Sequence, residues 1–332
     1  MRRRDVITLL AGVAAPWPPA VRAQQSGRRM PTVAFVLPAA TLTEIAGPDP
    51  VEPIARAFVH GLRDIGWIEG RNIIIERRSA EGDVKRAPPI FEELVARGVD
   101  VITLGALRQL HESAIQVTRT IPIVALFIDD PVADGLVVSL AKPGGNLTGV
   151  TTTAGSGLVA KRLQLLKELA PRITKVAFLG TRNAWESYRR SGEVAGIATI
   201  FAEVDRSEQF EEAFATVRRE QADALYAAGG GALGYIHRAR ILAFADEHRL
   251  PTVLGFQQAV REGGLMSYGV HLNSLWRQIA GLVDKILKGA KPADLPIEQP
   301  TKFELIINLK TARSLGLDIS PVLLATADEV IE

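Results

Sequence analysis

The chain has 332 residues, no cysteine and 39 Lys+Arg against 37 Asp+Glu, a formal net charge of +2. The missing cysteines exclude a disulfide framework, thiolate metal sites, a cysteine nucleophile and a lipid-modified N-terminal cysteine. The near-balance of charge, without a Lys/Arg block in the body of the chain, argues against a nucleic-acid partner and a polybasic membrane patch.

The N-terminus, MRRRDVITLLAGVAAPWPPAVRAQQ, reads as an export signal. Arg2, Arg3 and Arg4 precede an apolar run from Val6 to Ala15, and Pro16, Pro18 and Pro19 end it. Ten residues are too few to span a bilayer, which takes about 20. Val21 and Ala23 are the small residues of a cleavage site before Gln24, and the adjacent arginines suggest a twin-arginine route. Cleavage there leaves 309 residues of net charge −1, enough for two domains. The expected location is the periplasm.

Beyond the leader, strand-like and helix-like segments alternate. TVAFVL (32–37), NIIIERRSA (72–80), VDVITLG (99–105) and IPIVALFI (121–128) read as strands. The helices between them are 51–67, with apolar Ile54, Phe58, Leu62 and Ile65, then 90–98 ending on a glycine, and a third from Leu107. The stretch 129–157 is too long and too rich in Gly, Pro and Thr for an ordinary loop, and reads as a loop and strand crossing between two lobes. The unit then repeats: strands 175–180, 199–204, 222–229 and 251–256, with helices 185–198, 207–221 and 232–249. LMSYGV (265–270) is a further strand. A long amphipathic helix, HLNSLWRQIAGLVDKILKG, follows and can return to the first lobe. AKPADLPIEQP (290–300) is an extended connector, and FELIIN (303–308) a last strand.

Apolar strands alternating with helices imply parallel sheets covered on both faces. The fold class is α/β, with two doubly wound parallel-sheet lobes joined by a hinge of several crossings. The expected division is 24–149 with about 271–300 in lobe 1, and 150–270 with about 301–317 in lobe 2. Residues 318–332 carry no signal for either lobe.

Ligands of such folds bind at the carboxyl ends of the strands. The residues there are Pro38, Ala39, Gly105, Ala106, Asp129, Asp130, Arg182, Asn183, Gly229, Gly230 and Phe256. Thr152 lies in the crossing stretch, and Tyr268 on the later strand. This set can hydrogen-bond a small polar head and cover an apolar tail, but it assembles no catalytic group. Asp130 is the candidate anion for an ammonium. The amides of Gly105 and Ala106, where a helix starts, are the candidate donors for a carboxylate. Asp129 and Asp130, adjacent at one strand end, are a weak pattern for acid/base work, because neighbours on a strand point to opposite faces.

Gly229, Gly231 and Gly234 match the spacing G-x-G-x-x-G after a strand and before a helix. The acid such a dinucleotide site requires at the end of the next strand is absent, since that end is Gly255–Phe256. The glycines read as a tight turn against the cleft, and a nucleotide-using soluble α/β enzyme stays open as the rival function. His60, His111, His237, His248 and His271 show no zinc-site spacing, and each is expected on a helix surface. AGSG around Ser156 lacks the first glycine of a nucleophile elbow. No cofactor, no metal and no enzymatic activity are expected.

Pro143-Gly144-Gly145-Asn146 followed by Thr148-Gly149-Val150, with Asp130-Pro131-Val132 and Gly135-Leu136-Val137 before it, resembles the ABC-transporter substrate-binding proteins of the tryptophan-binding-like group. Gly66-Trp67-Ile68-Glu69-Gly70-Arg71-Asn72 resembles that group too. So do Gly263-Gly264-Leu265-Met266-Ser267-Tyr268-Gly269 and the run from Leu295 to Leu305. The resemblance covers nearly the whole chain. It implies a type I periplasmic-binding fold and a monomer that catches a small molecule between its lobes and presents the closed form to a membrane permease. Relatives often carry Gly with Ser or Thr after the third strand; this chain has Gly105-Ala106-Leu107-Arg108, and three glycines stand near 229 where relatives tend to be polar. The ligand class expected is an amino acid or similar small amphiphile.

Overall fold

The computed structural model describes residues 29–128, 130–152, 157–227 and 231–332. The export-signal reading therefore lies outside the described residues.

The first sheet takes its strands from the N-terminal half. In chain order the elements are β1 (Thr32–Leu37), α1 (Pro53–Asp64), β2 (Ile74–Ser79), α2 (Ala87–Arg97), β3 (Val101–Leu104), α3 (Arg108–Val117), β4 (Ile123–Phe127) and β5 (Leu147–Thr151). The strand order is β2-β1-β3-β4-β5, all parallel, with Val33 opposite both Ile75 and Val101. Local chemistry sets the helix ends. The Glu52 carboxylate accepts from the Ala55 amide at 2.7 Å and Pro53 opens α1, while α2 stops on Gly98 at φ 63°.

The second half supplies α4 (Gly157–Leu169), β6 (Lys175–Gly180), α5 (Arg182–Ala195), β7 (Ala198–Glu203), α6 (Phe210–Arg219), β8 (Ala224–Tyr226), α7 (Gly231–Ile236), α8 (Arg238–Glu247), β9 (Thr252–Leu254), α9 (Gln257–Arg261), β10 (Met266–Gly269), α10 (Leu272–Leu287), β11 (Glu304–Asn308), α11 (Leu309–Ser314), α12 (Pro321–Thr326) and β12 (Glu329–Ile331). Its sheet has seven strands in the order β12-β11-β10-β9-β8-β6-β7. We call the units built on the two sheets lobe 1 and lobe 2.

Each sheet is covered on both faces, as continuous apolar strands require. On lobe 1, Phe35, Phe58 and Trp276 pack on one face and Phe91, Leu94 and Leu110 on the other. On lobe 2, Phe178, Tyr188 and Leu166 cover one face, and Phe210, Phe214 and Phe244 the other. The long helix α10 lies on α1, and Gly61 permits the approach: a β-carbon there would stand 3.0 Å from the Ala280 β-carbon. Trp67 Nε1 donates to Asp284 at 2.9 Å across the same pair.

Three differences from the sequence reading have physical causes. The expected all-parallel second sheet contains one antiparallel pair, β10–β11: between these strands the chain leaves for lobe 1 as α10 and returns along an extended connector, so no helix packs back on the second sheet as a parallel crossover requires. That connector runs beside β5, where Thr151 N donates to Glu298 O at 2.9 Å and Glu298 N to Gly149 O at 3.0 Å. The expected helix 232–249 is two helices, broken at His237 (φ −97°, ψ 16°), whose ring is held by Ser207 Oγ at 2.8 Å and lies 4.8 Å from the Phe210 ring. Helices α4, α9, α11 and α12 and strand β12 were not foreseen; β12 pairs with β11 and places the C-terminal segment on the second sheet.

Candidate functional site

The carboxyl ends of β1, β3 and β4 in lobe 1 and of β6, β8 and β9 in lobe 2 are brought together around one slot, as adjoining cavity linings show. A cavity of about 380 Å³ is walled by Ile128, Asp130, Asp134 and Thr152 on the lobe 1 side, and by Arg162, Tyr188, Tyr226 and Phe256 on the lobe 2 side. A second of about 140 Å³ takes Arg108, His111 and Asp134 from lobe 1, and Arg182, Asn183 and Asp205 from lobe 2. A third, apolar and about 60 Å³, lies between Pro38, Ala39, Gly105 and Ala106 on one side and Tyr235 and Phe256 on the other. Ile128 borders all three, so they are chambers of one cleft.

Most of the anticipated residues converge here. Asp130, Thr152, Asn183 and Phe256 line the large chamber, Arg182 and Ala106 the polar one, and Pro38, Ala39 and Gly105 the apolar one. Asp129, Gly229 and Gly230 lie outside the described residues. The geometry changes what several of them can do. The Gly105 N–H is used within lobe 1, donating to Val36 O at 2.8 Å, and the Thr152 hydroxyl donates to Ile128 O at 3.1 Å. Asp130 Oδ1 accepts from the Val132 and Ala133 amides at 2.9 and 3.3 Å, so this carboxylate caps the turn while it faces the cavity. Arg182 pairs with Glu203 at 2.5 Å, and its guanidinium lies 5.2 Å from the centre of the Phe201 ring.

Tyr268 is a correction: its side chain is on the other side of β10, stacked on Phe303 at 5.8 Å in a groove with Lys161 and Leu323. Alternation along the strand sends it away from the cleft. Its backbone serves the site instead, because Tyr268 O accepts from Arg162 Nε at 2.6 Å. His111 is a second correction. It is 3 % exposed, not on a helix surface; its Nε2 is 3.1 Å from Gly105 O and its ring edge-on to Phe127 at 5.1 Å. Burial pushes its pKa down to about 4, so the imidazole is neutral.

Sequence reading missed the lobe 2 wall. Phe178, Tyr188 and Tyr226 form an aromatic surface with centroids 4.3 Å (Phe178–Tyr188) and 5.0 Å (Tyr188–Tyr226) apart. Burial raises the Tyr188 hydroxyl well above its ordinary range, so it remains protonated. Arg162 adjoins this surface, 8 % exposed, with Nη1 donating to the Tyr226 hydroxyl at 3.2 Å. A signal for it existed. Leu158, Leu165, Leu166 and Leu169 make the buried stripe of α4, and Arg162 sits within that stripe at helical spacing. Asp134 was also missed. It is held by Arg108 at 3.4 Å and reached across the cleft by Asn183 Nδ2 at 3.5 Å. Burial raises its carboxyl, with Arg108 pulling the other way. Among the described residues no group of three His, Asp or Glu side chains comes together as metal ligands.

The chamber is a binding site in its chemistry: aromatic faces for an apolar body, a few charged groups at its ends, and walls contributed by two lobes. Comparisons with known proteins agree. Residues 42–331 match the family model described as ABC transporter substrate binding protein. A tyrosine-binding protein of Clostridioides difficile (strain R20291) is 24 % identical over 269 residues, 79 % of this chain and 76 % of that one. The ABC domain of a Streptococcus pneumonia protein, solved in complex with L-Trp, superposes with a TM-score of 0.80 at 23 % identity, covering 91 % of this chain and 99 % of that one. A conserved domain protein of Vibrio cholerae O1 biovar eltor gives 0.80 at 25 % identity, covering 91 % and 100 %. The chain belongs to the ABC transporter substrate-binding protein family and has the type I periplasmic-binding fold.

Proposed function

We propose that this protein is the exported solute receptor of an ABC importer, and that it closes two lobes on an amino acid or similar small amphiphile. The observation that carries the reading is the chamber of about 380 Å³, whose walls come from both lobes and whose lining joins aromatic faces to charged groups of both signs. A pocket split between two lobes gives the ligand more contacts in the closed state than in the open one. That differential affinity shifts the hinge equilibrium toward closure. The proposed division is 24–149 with about 271–300 in lobe 1 and 150–270 with about 301–317 in lobe 2, the first boundary moving past Thr151 because β5 belongs to the first sheet, and the C-terminal strand β12 joining lobe 2. The packing of α10 on α1 supports the first assignment.

The remaining steps follow from this role. The leader is removed after Ala23, the mature monomer works in the periplasm, and a membrane permease receives the closed form. The protein acts by binding, without catalysis and without a cofactor. Names among its relatives favour aromatic amino acids as first probes.

Calorimetric titration of the mature chain with the common L-amino acids, NAD and ATP tests the reading. Saturable binding of an amino acid is expected, with stability rising by about 2.7 kcal/mol at a hundredfold excess over Kd. Binding of a nucleotide alone would put the enzyme reading ahead.

A further inference from the structure

Arg162 is a buried cation whose hydrogen-bond partners are all neutral. It is 8 % exposed, and its two bonds go to the Tyr268 carbonyl and the Tyr226 hydroxyl. Among the described residues no carboxylate lies within ion-pair distance of it. Two acids share its chamber, but both are engaged elsewhere: Asp130 Oδ1 on the turn amides, Asp134 with Arg108. Burying a guanidinium without a counter-charge is costly, and neutral acceptors offset only part of that cost. A ligand that brings the opposite charge into the chamber offsets the rest of that cost.

We propose that Arg162 is the anion anchor of the cleft. The ligand presents a carboxylate to its guanidinium from within the large chamber and lays its apolar body on Phe256, the partly exposed aromatic ring of the same lining. The proposal rests on the solute-receptor reading and deepens it by naming the group that the receptor requires. The planar guanidinium matches a planar carboxylate and discriminates it from a neutral amide of the same shape. The assignment also replaces the Gly105 amide, which the sequence favoured and the sheet consumes. Arg162 thereby becomes a specificity-determining residue on lobe 2, facing the turn of Asp130 on lobe 1.

The test titrates the mature protein with two pairs, L-tyrosine against L-tyrosinamide and phenylacetate against phenylacetamide. The acid of at least one pair is expected to bind about 10- to 150-fold more tightly than its amide. Arg162→Gln is expected to weaken the acid and leave the amide unchanged, which erases the preference. The thermal midpoint of unliganded Arg162→Gln shows whether it folds, and Arg162→Lys, which keeps a cation, is expected to retain part of the preference; an Arg162→Lys protein that folds and shows none overturns the anchor. Equal binding of acid and amide by the wild type overturns the anchor while leaving the solute reading standing. Acid preference that survives Arg162→Gln overturns it too, and moves the carboxylate to the first-turn amides of α3. Binding of none of the four probes, nor of any amino acid, overturns the solute reading and the anchor with it.

Discussion

Gly149 lies directly against the backbone of Ala125 on the neighbouring strand: a β-carbon on Gly149 would stand 1.9 Å from the Ala125 carbonyl oxygen. No rotamer change relieves that contact, because both partners are backbone. The motif around it is architectural. Asn146 Nδ2 donates to Thr118 O at 3.1 Å and Ile121 O at 2.7 Å, fixing where β5 begins beside β4. Gly149→Ala is therefore expected to destabilise the protein by about 3 kcal/mol or more, read as a loss of the denaturation midpoint in urea. A variant as stable as wild type would mean that β5 pairs differently.

Asp130 has two duties that can be separated. Asn in its place keeps Oδ1 to accept from the Val132 and Ala133 amides but removes the charge. We expect Asp130→Asn to leave the thermal midpoint of the unliganded protein unchanged and to weaken binding of a zwitterionic amino acid about tenfold. Asp130→Ala should do that and also cost about 1 kcal/mol of stability, the usual worth of a lost cap. Unchanged affinity in both would confine Asp130 to the turn.

His111 gives the protein a definite acid sensitivity. Its pKa is about 4 in the fold against 6.5 ordinarily, because burial disfavours the imidazolium. As pH falls below 6.5 the unfolded chain takes up this proton while the folded protein does not, until about pH 4. The contribution present above pH 6.5 is thus lost through that window, by about 3 kcal/mol in full. Urea midpoints at pH 7.5 and 4.5 check it. The difference between the two should shrink in His111→Gln, and an equal difference would assign the acid sensitivity to other groups.

Ser187 faces the large chamber from α5 and is partly exposed there. Ser187→Trp is expected to fill the cavity and abolish solute binding while leaving the unfolding midpoint close to wild type. A chamber that still binds with wild-type affinity would place the solute in one of the two smaller spaces.

The fold was legible because its signals are local and repeated. Buried strands such as TVAFVL and KVAFLG are apolar throughout, glycine marks the end of α2, and the Asn146–Gly149 motif has a steric reason. The site was legible at strand ends, where topology alone points to ligands. It was not legible where function depends on side chains arriving from elsewhere. Arg162 comes from a helix between the crossing stretch 129–157 and the strand at 175, a segment to which the sequence reading assigned no element. Tyr188 and Tyr226 look like ordinary core residues until both sheets are in place, and both are fully buried ones. Tyr268 failed for the opposite reason: strand membership was right, but the face it occupies depends on a register that only the folded sheet fixes.

The central claim, a carboxylate-bearing solute held between the lobes, is tested most directly by mass spectrometry of small molecules released on denaturing the protein purified from its native cells. The account predicts one predominant small amphiphile with a free carboxylate, near one equivalent per chain and absent from the Arg162→Gln protein. Release of a nucleotide, or of a neutral solute retained equally by Arg162→Gln, would contradict it.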